Sequence, residues 1–95
     1  MVRITPVARA ADRAELRIEG WLSDEEAALL QREVDAVLTE SERVVLDLHG
    51  VRRIDPSALP GLRALTESGR ATCTAPEFLS DLLNAHGIAV SGSEV

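Results

Sequence analysis

Aromatic side chains are almost missing from this 95-residue sequence, which has one Trp, one Phe and no Tyr. Any core must therefore be built from Leu, Val, Ile and Ala. A base-stacking surface, which needs aromatics interleaved with basic residues, is not expected. Basic charge is also scarce. Ten Lys and Arg face sixteen Asp and Glu, a formal net charge of −6. That balance argues against a nucleic-acid partner and would suit a protein partner with a basic face. Cysteine occurs once, as Cys73, so no disulfide can close within the chain, in keeping with a reducing compartment. No apolar run approaches the roughly 18 residues needed to span a bilayer. Arg3, Arg9, Asp12 and Arg13 break up the N-terminus, which does not read as a signal peptide. A cytoplasmic protein without direct membrane insertion is the expectation.

What is present is an ordinary globular balance, with 45% hydrophobic and 27% charged residues. The length suits one domain over residues 1–95 with one modest core. Its last residues, 91–95, are small and polar and are expected to fray.

Residues 2–8 read as a short strand that Pro6 confines to a sheet edge. Residues 14–22 alternate Leu16, Ile18 and Leu22 against Glu15, Arg17 and Glu19, a strand with one buried face. The polar segment Arg9 to Arg13 between them serves as a hairpin turn. Ser23 and Glu26 have capping-box spacing, with Asp24 and Glu25 in the first turn where the helix dipole favours acids. Ala27, Leu30, Val34, Val37 and Leu38 then recur at helical spacing to about Thr39. Residues 43–48 form an apolar, β-branched strand of interior type, ended by His49-Gly50. A second helix follows Asp55 and carries Leu59, Leu62 and Leu65, with Gly69 beyond its end. Residues 71–74 suggest another interior strand, 76–86 a third helix, and 88–90 a last short strand. Strands alternating with helices after an opening hairpin imply an α/β fold whose mixed sheet has a parallel portion.

The most distinctive stretch is residues 44–62, VVLDLHGVRRIDPSALPGL. If Asp55 caps the helix, Pro56 stands at a favourable first position but Pro60 falls at the fifth, where a backbone N–H is required. If Ser57 is the cap, Pro60 falls at the third position, whose N–H has no partner within the helix. Local physics thus favours Ser57 as the N-cap.

This stretch resembles the signature of STAS domains, a strand reading V-x-L-D-L followed by G-V and then I-D-S-S-G-L opening a helix. The matching residues are Val45, Leu46, Asp47, Leu48, Gly50, Val51, Ile54, Asp55, Ser57 and Leu59. The order of elements agrees over residues 13–90. The resemblance implies a four- to five-stranded mixed sheet with helices mainly on one face, in the order β-β-α-β-α-β-α-(β). In the anti-sigma factor antagonists of this family the second serine of the motif is phosphorylated by an anti-sigma factor that is itself a kinase. The unphosphorylated form binds that partner and so releases the sigma factor. The matching position is Ser57. Pro56, Ala58 and Pro60 depart from the family pattern, stiffen the loop and add a methyl group beside the serine.

Each candidate has a plainer reading beside it. Ser57 is either a phosphorylation site or a helix cap. Asp55 suits a turn better than acid-base chemistry. Trp21 either covers the sheet edge or anchors a partner. His49 and His86 have no second ligand at metal spacing, and Cys73 reads as a small core residue. Neither a G-x-S-x-G elbow nor a phosphate-binding loop occurs. The expectation is a non-enzymatic module without cofactor or metal. It would bind an anti-sigma factor or serine kinase-type regulator through Asp55, Pro56, Ser57, Ala58, Pro60, Gly61 and Trp21. STAS-like accessory subunits of transporters, including lipid-transport ABC systems that dock on an ATPase or membrane subunit, form the alternative.

Overall fold

The structure, a computed structural model, describes residues 2–90; the tail expected to fray, 91–95, lies outside them. Strands β1 (Val2–Arg9) and β2 (Ala14–Leu22) form an antiparallel hairpin. Its turn is closed by the Ala10 N–H donating to the Arg13 carbonyl at 2.9 Å. Helix α1 (Asp24–Leu38) then leads to β3 (Val44–Ile54), a 3-10 turn (Pro56–Ala58), α2 (Leu59–Glu67), β4 (Ala71–Thr74) and α3 (Glu77–Ala85). The sheet runs β1-β2-β3-β4, with β2, β3 and β4 mutually parallel. The last strand expected at 88–90 is reduced to one bridge, Val90 beside Cys73. The Ala89 carbonyl accepts from the Cys73 N–H there, at 3.3 Å.

One sheet face and the helices enclose a single aliphatic core. Alternate residues Ala14, Leu16 and Ile18 of β2, Val44, Leu46 and Leu48 of β3, and Ala71 and Cys73 of β4 are buried. They meet Leu30 and Val34 of α1, Leu62 of α2, and Leu79 and Leu83 of α3. Residues between them, such as Glu15, Arg17, Asp47, Thr72 and Thr74, stay partly or fully exposed on the other face. No aromatic enters the core among the described residues; Trp21 and Phe78 are 55% and 66% exposed. Cys73 is fully buried, and desolvation pushes its thiol up to about 12, so it is unreactive as a nucleophile.

The capping box opens α1 as its spacing requires. The Glu26 carboxylate accepts from the Ser23 backbone N–H at 3.0 Å and from its hydroxyl at 2.6 Å. Those two bonds hold the Glu26 carboxyl below its usual range. At the other end of α1, Arg70 serves as a clasp. Its Nη2 donates to the Leu38 and Ser41 carbonyls at 2.9 and 3.2 Å, and its Nε to the Glu42 carbonyl at 3.0 Å. A helix leaves its last carbonyls without internal partners; the planar guanidinium takes one of these, that of Leu38, together with two from the loop that follows. Arg70→Lys keeps the charge but loses the fork. The expected loss is about 1 kcal/mol, since the bonds are charge-assisted but exposed, read as a lower urea midpoint with unchanged slope.

β3 does not end at His49-Gly50 as the sequence suggests; it continues to Ile54. Arg17 pairs with Asp47 and Glu19 with Gly50, so two steps on β2 match three on β3. The same mismatch recurs between Gly20–Val51 and Trp21–Arg53. Each is a bulge, in which one extra residue bends the strand and re-aims its side chains. Buried positions therefore run 44, 46, 48 and then 51 and 54. Gly50 sits in the first bulge because a Cβ there would lie 2.6 Å from Glu19 Cγ and 3.3 Å from the Ile18 carbonyl oxygen.

Candidate functional site

The parallel strands β2 and β3 end side by side, and the sequence-predicted residues gather where they end. The Asp55 N–H donates to the Leu22 carbonyl at 2.8 Å, which ties the turn after β3 to the tip of β2. Gly20 takes φ of 104°, a conformation that favours glycine, at the second irregularity. Trp21 beyond it projects outward, with the Arg53 guanidinium 5.3 Å from its ring centre, within cation-π range. Trp21 is 55% exposed, so it is only partly covered at the sheet edge. The second bulge leaves Arg52 and Arg53 both exposed in succession.

The helix cap differs from the sequence expectation. Asp55, not Ser57, is the N-cap, and it caps a 3-10 turn instead of α2 directly. Its Oδ1 accepts from the Ser57 N–H at 3.2 Å and from the Ser57 hydroxyl at 3.1 Å. The Ala58 N–H donates to the Asp55 carbonyl at 2.8 Å. This turn absorbs three residues, so both prolines fit. Pro56 opens the turn and Pro60 falls in the first turn of α2, where no intrahelical acceptor waits for an N–H. Asp55→Ala is expected to lower stability by about 0.5–2 kcal/mol, and Asp55→Asn by much less, in urea unfolding.

Ser57 lies on the surface, and its chain neighbours Asp55 and Pro56 each line a depression. On one side Trp21, Leu22, Ser23, Glu26, Arg53 and Asp55 line a hollow of about 280 Å³. On the other, a groove of about 450 Å³ runs from Pro56 along α2 to His86. Asp55, Pro56, Ser57 and Pro60 are exposed and Gly61 is half-buried. Ala58 is 0% exposed, which removes it from any contact surface: the turn directs its methyl group into the core, where it supports the turn from beneath. Gly61 is held close to α1, since a Cβ there would be 3.1 Å from Ala27 Cβ. Arg52, Arg53, Arg63 and His86 share this end of the molecule, and sequence reasoning did not single them out as site residues. The only signal for them is a local run of arginine in an acidic chain.

Asp47, of the same sequence motif, lies on the open sheet face. Partial desolvation pushes its carboxyl up. The His49 backbone and ring, with the Arg17 charge at 3.7 Å, outweigh that and hold it below the ordinary aspartate value of 3.8. The His49 N–H donates to Asp47 Oδ1 at 3.0 Å and the ring Nδ1 lies 2.7 Å away. A carboxyl whose folded pKa is depressed adds stability above its unfolded value, and that stability is lost as pH falls through the folded value. Asp47→Asn should therefore flatten the decline in urea midpoint below the ordinary value of 3.8, and leave a smaller difference from wild type in acid than at neutral pH.

Among the described residues no three His, Cys, Asp or Glu side chains cluster as metal ligands, and no helix is long and apolar enough to cross a membrane. The arrangement is one of exposed loop, rigid turn and flanking grooves, suited to contact with another macromolecule.

Comparison with solved structures gives the same fold. The anti-sigma factor antagonist SpoIIAA in its unphosphorylated form superposes with a TM-score of 0.64 at 7% identity, covering 97% of this chain and 91% of that one. An uncharacterized DUF3478 family protein with a SpoIIAA-like fold, from Shewanella loihica, gives 0.59 at 11% identity, covering 94% and 81%. Identities this low speak to fold alone. No curated protein matches the sequence. The STAS_2 family (Mlab, STAS domain) matches residues 6–89, nearly the whole length, and with the strand-turn-helix geometry around Asp55 and Ser57 this makes the chain a member of the STAS_2 family.

Proposed function

We propose that this chain is a non-enzymatic regulatory module of the anti-sigma factor antagonist type. It acts in the cytoplasm and docks an anti-sigma factor or serine kinase-type regulator on the surface formed by Asp55, Pro56, Ser57, Pro60, Gly61 and Trp21. One observation carries the reading: Ser57 is exposed on a turn whose Asp55 and Pro56 each line a hollow, and its hydroxyl is held by Asp55 at 3.1 Å. A partner seated across those hollows covers Ser57. Phosphorylation would then place about −1.5 to −2 charges inside the contact at pH 7. It would also remove the hydroxyl donor that Asp55 accepts and set a second anion beside that carboxylate.

The test mixes this chain with a serine kinase-type anti-sigma factor. The two proteins should form a complex, and added ATP should give the mass gain of one phosphate at Ser57 and dissociate it. Absence of both a complex and a mass gain overturns the reading. The second reading is a STAS-like accessory subunit of a transporter such as a lipid-transport ABC system. The two prolines and the buried Ala58 favour it, because they leave a stiff turn that yields little to a kinase active site. It predicts copurification with a membrane ATPase and no phosphate at Ser57.

A further inference from the structure

We infer that residues 76–90, α3 with the turn after it, form a flap that opens as one unit while the sheet, α1 and α2 stay folded. The inference goes beyond the docking reading and does not depend on it; it follows from how each helix is fastened. Arg70, just before β4, holds the end of α1 and the loop after it through three carbonyls. The same loop is tied to the hairpin turn. The Ser41 hydroxyl donates to the Ala10 carbonyl at 2.5 Å and the Glu42 N–H to the Ala11 carbonyl at 3.0 Å. The turn before α2 is tied to the tip of β2 by the Asp55 N–H. Each of these bonds joins elements that are far apart in the chain.

α3 has no comparable fastening. Its N-cap is Pro76, which gives no side-chain bond. Glu77, Asp81, Asn84 and His86 are exposed, and among the described residues their side chains have no hydrogen-bond or ion-pair partner. The Ser80 hydroxyl donates to the Ala75 carbonyl at 3.3 Å, at the root of the segment itself. Among the described residues one backbone bond crosses from the segment to the sheet, the Cys73 N–H to the Ala89 carbonyl at 3.3 Å. It belongs to the isolated bridge that stands where a last strand was expected. What holds the segment is the burial of Leu79, Leu83 and Ile88, with Leu82 and Val90 partly covered. Phe78, its largest apolar side chain, is mostly exposed and adds little. The helix has nine residues, fewer than the roughly 12–15 that an isolated helix needs in water. Once Leu79 and Leu83 leave their places α3 therefore unwinds, and the segment opens cooperatively. Opening also reaches the groove beside the Ser57 turn. Of the residues lining that groove, His86 is the one outside the turn and α2, so the groove loses that wall and keeps the rest.

The experiment is hydrogen exchange of the ¹⁵N-labelled full chain followed by NMR, in wild type and in Arg70→Lys. The amides of Leu82, Leu83 and Ala85 should exchange at least about tenfold faster than those of Val34 and Leu46. The Cys73 amide should exchange with α3, because its acceptor leaves with the flap. The Thr72 amide points the other way along the strand, toward β3, and should stay with the core. Arg70→Lys loosens the end of α1 and not the flap. It should speed Val34 and Leu46 about fivefold, the factor matching the stability loss expected of that variant, and leave α3 and Cys73 unchanged. Equal protection of α3 and the core in wild type overturns the proposal. So does a Cys73 amide that exchanges with Thr72, which would mean that 88–90 stays behind. A variant in which α3 quickens by the same factor as Leu46 overturns it too, because the segment would then open only with the whole fold.

Discussion

Leu62→Ala should lower the stability of the chain by about 2–5 kcal/mol, the largest effect expected of any single truncation near the docking surface. Leu62 is 0% exposed and, with Leu59 and Leu65, seats α2 in the shared core of sheet and helices. Its removal loses the transfer free energy of the deleted atoms and leaves a cavity that the surrounding Leu and Val side chains fill only in part. In a domain of this size about 1 kcal/mol corresponds to roughly 4–8 °C in Tm, so the melting temperature should fall by about 8 °C or more. Leu62→Met, which keeps the volume, should lose less than about 1.5 kcal/mol. Urea unfolding of the pair checks this. A loss below about 1 kcal/mol for Leu62→Ala would mean that α2 is not seated on the core as described. The same measurement bears on function, because α2 and the turn before it carry Ser57 and the groove floor.

The second large effect is on binding. Ser57→Asp should weaken the complex with the regulator by at least about tenfold, whereas Ser57→Ala should stay within a few fold of wild type. Ser57 is not the helix cap, so its replacement by alanine removes one exposed hydrogen bond to Asp55 and leaves the backbone N–H bond at 3.2 Å in place. Aspartate at that position faces the Asp55 carboxylate across the same short distance, and like charges held that close repel. Titration calorimetry with the regulator reads both variants. Equal affinity of Ser57→Asp and wild type would refute the switch and leave the fold and the docking surface untouched.

Local chemistry was readable where a short pattern decides the structure. Ser23 with Glu26 announces the start of α1, and the alternation of Leu16 and Ile18 announces β2; both occur in the structure as read. The end of β3 was not readable, because alternation is the signal for a strand and the bulges change the spacing of buried residues from two to three after Leu48. The cap was misassigned for a related reason. Counting helical positions from a single start forces a choice between Pro56 and Pro60, and the 3-10 turn removes the conflict by placing two starts in succession. The exposure of Trp21 depends on a glycine with positive φ and on an arginine from the neighbouring strand, which no window of adjacent residues contains. The groove joins Pro56 and Ala64 to His86, more than twenty positions further along the chain, and exists only once α3 has folded back.

The burial of Cys73 has a practical consequence for these experiments. The only thiol in the chain is enclosed in the sheet with its ionisation pushed up to about 12, so alkylating and fluorescent reagents will pass it by while the fold is intact. A cysteine introduced at an exposed position such as Pro60 or Arg52 would then be the one labelled site. A dye placed there reports directly on what covers the turn, and delayed labelling of Cys73 reports, in the same sample, on how often the core opens.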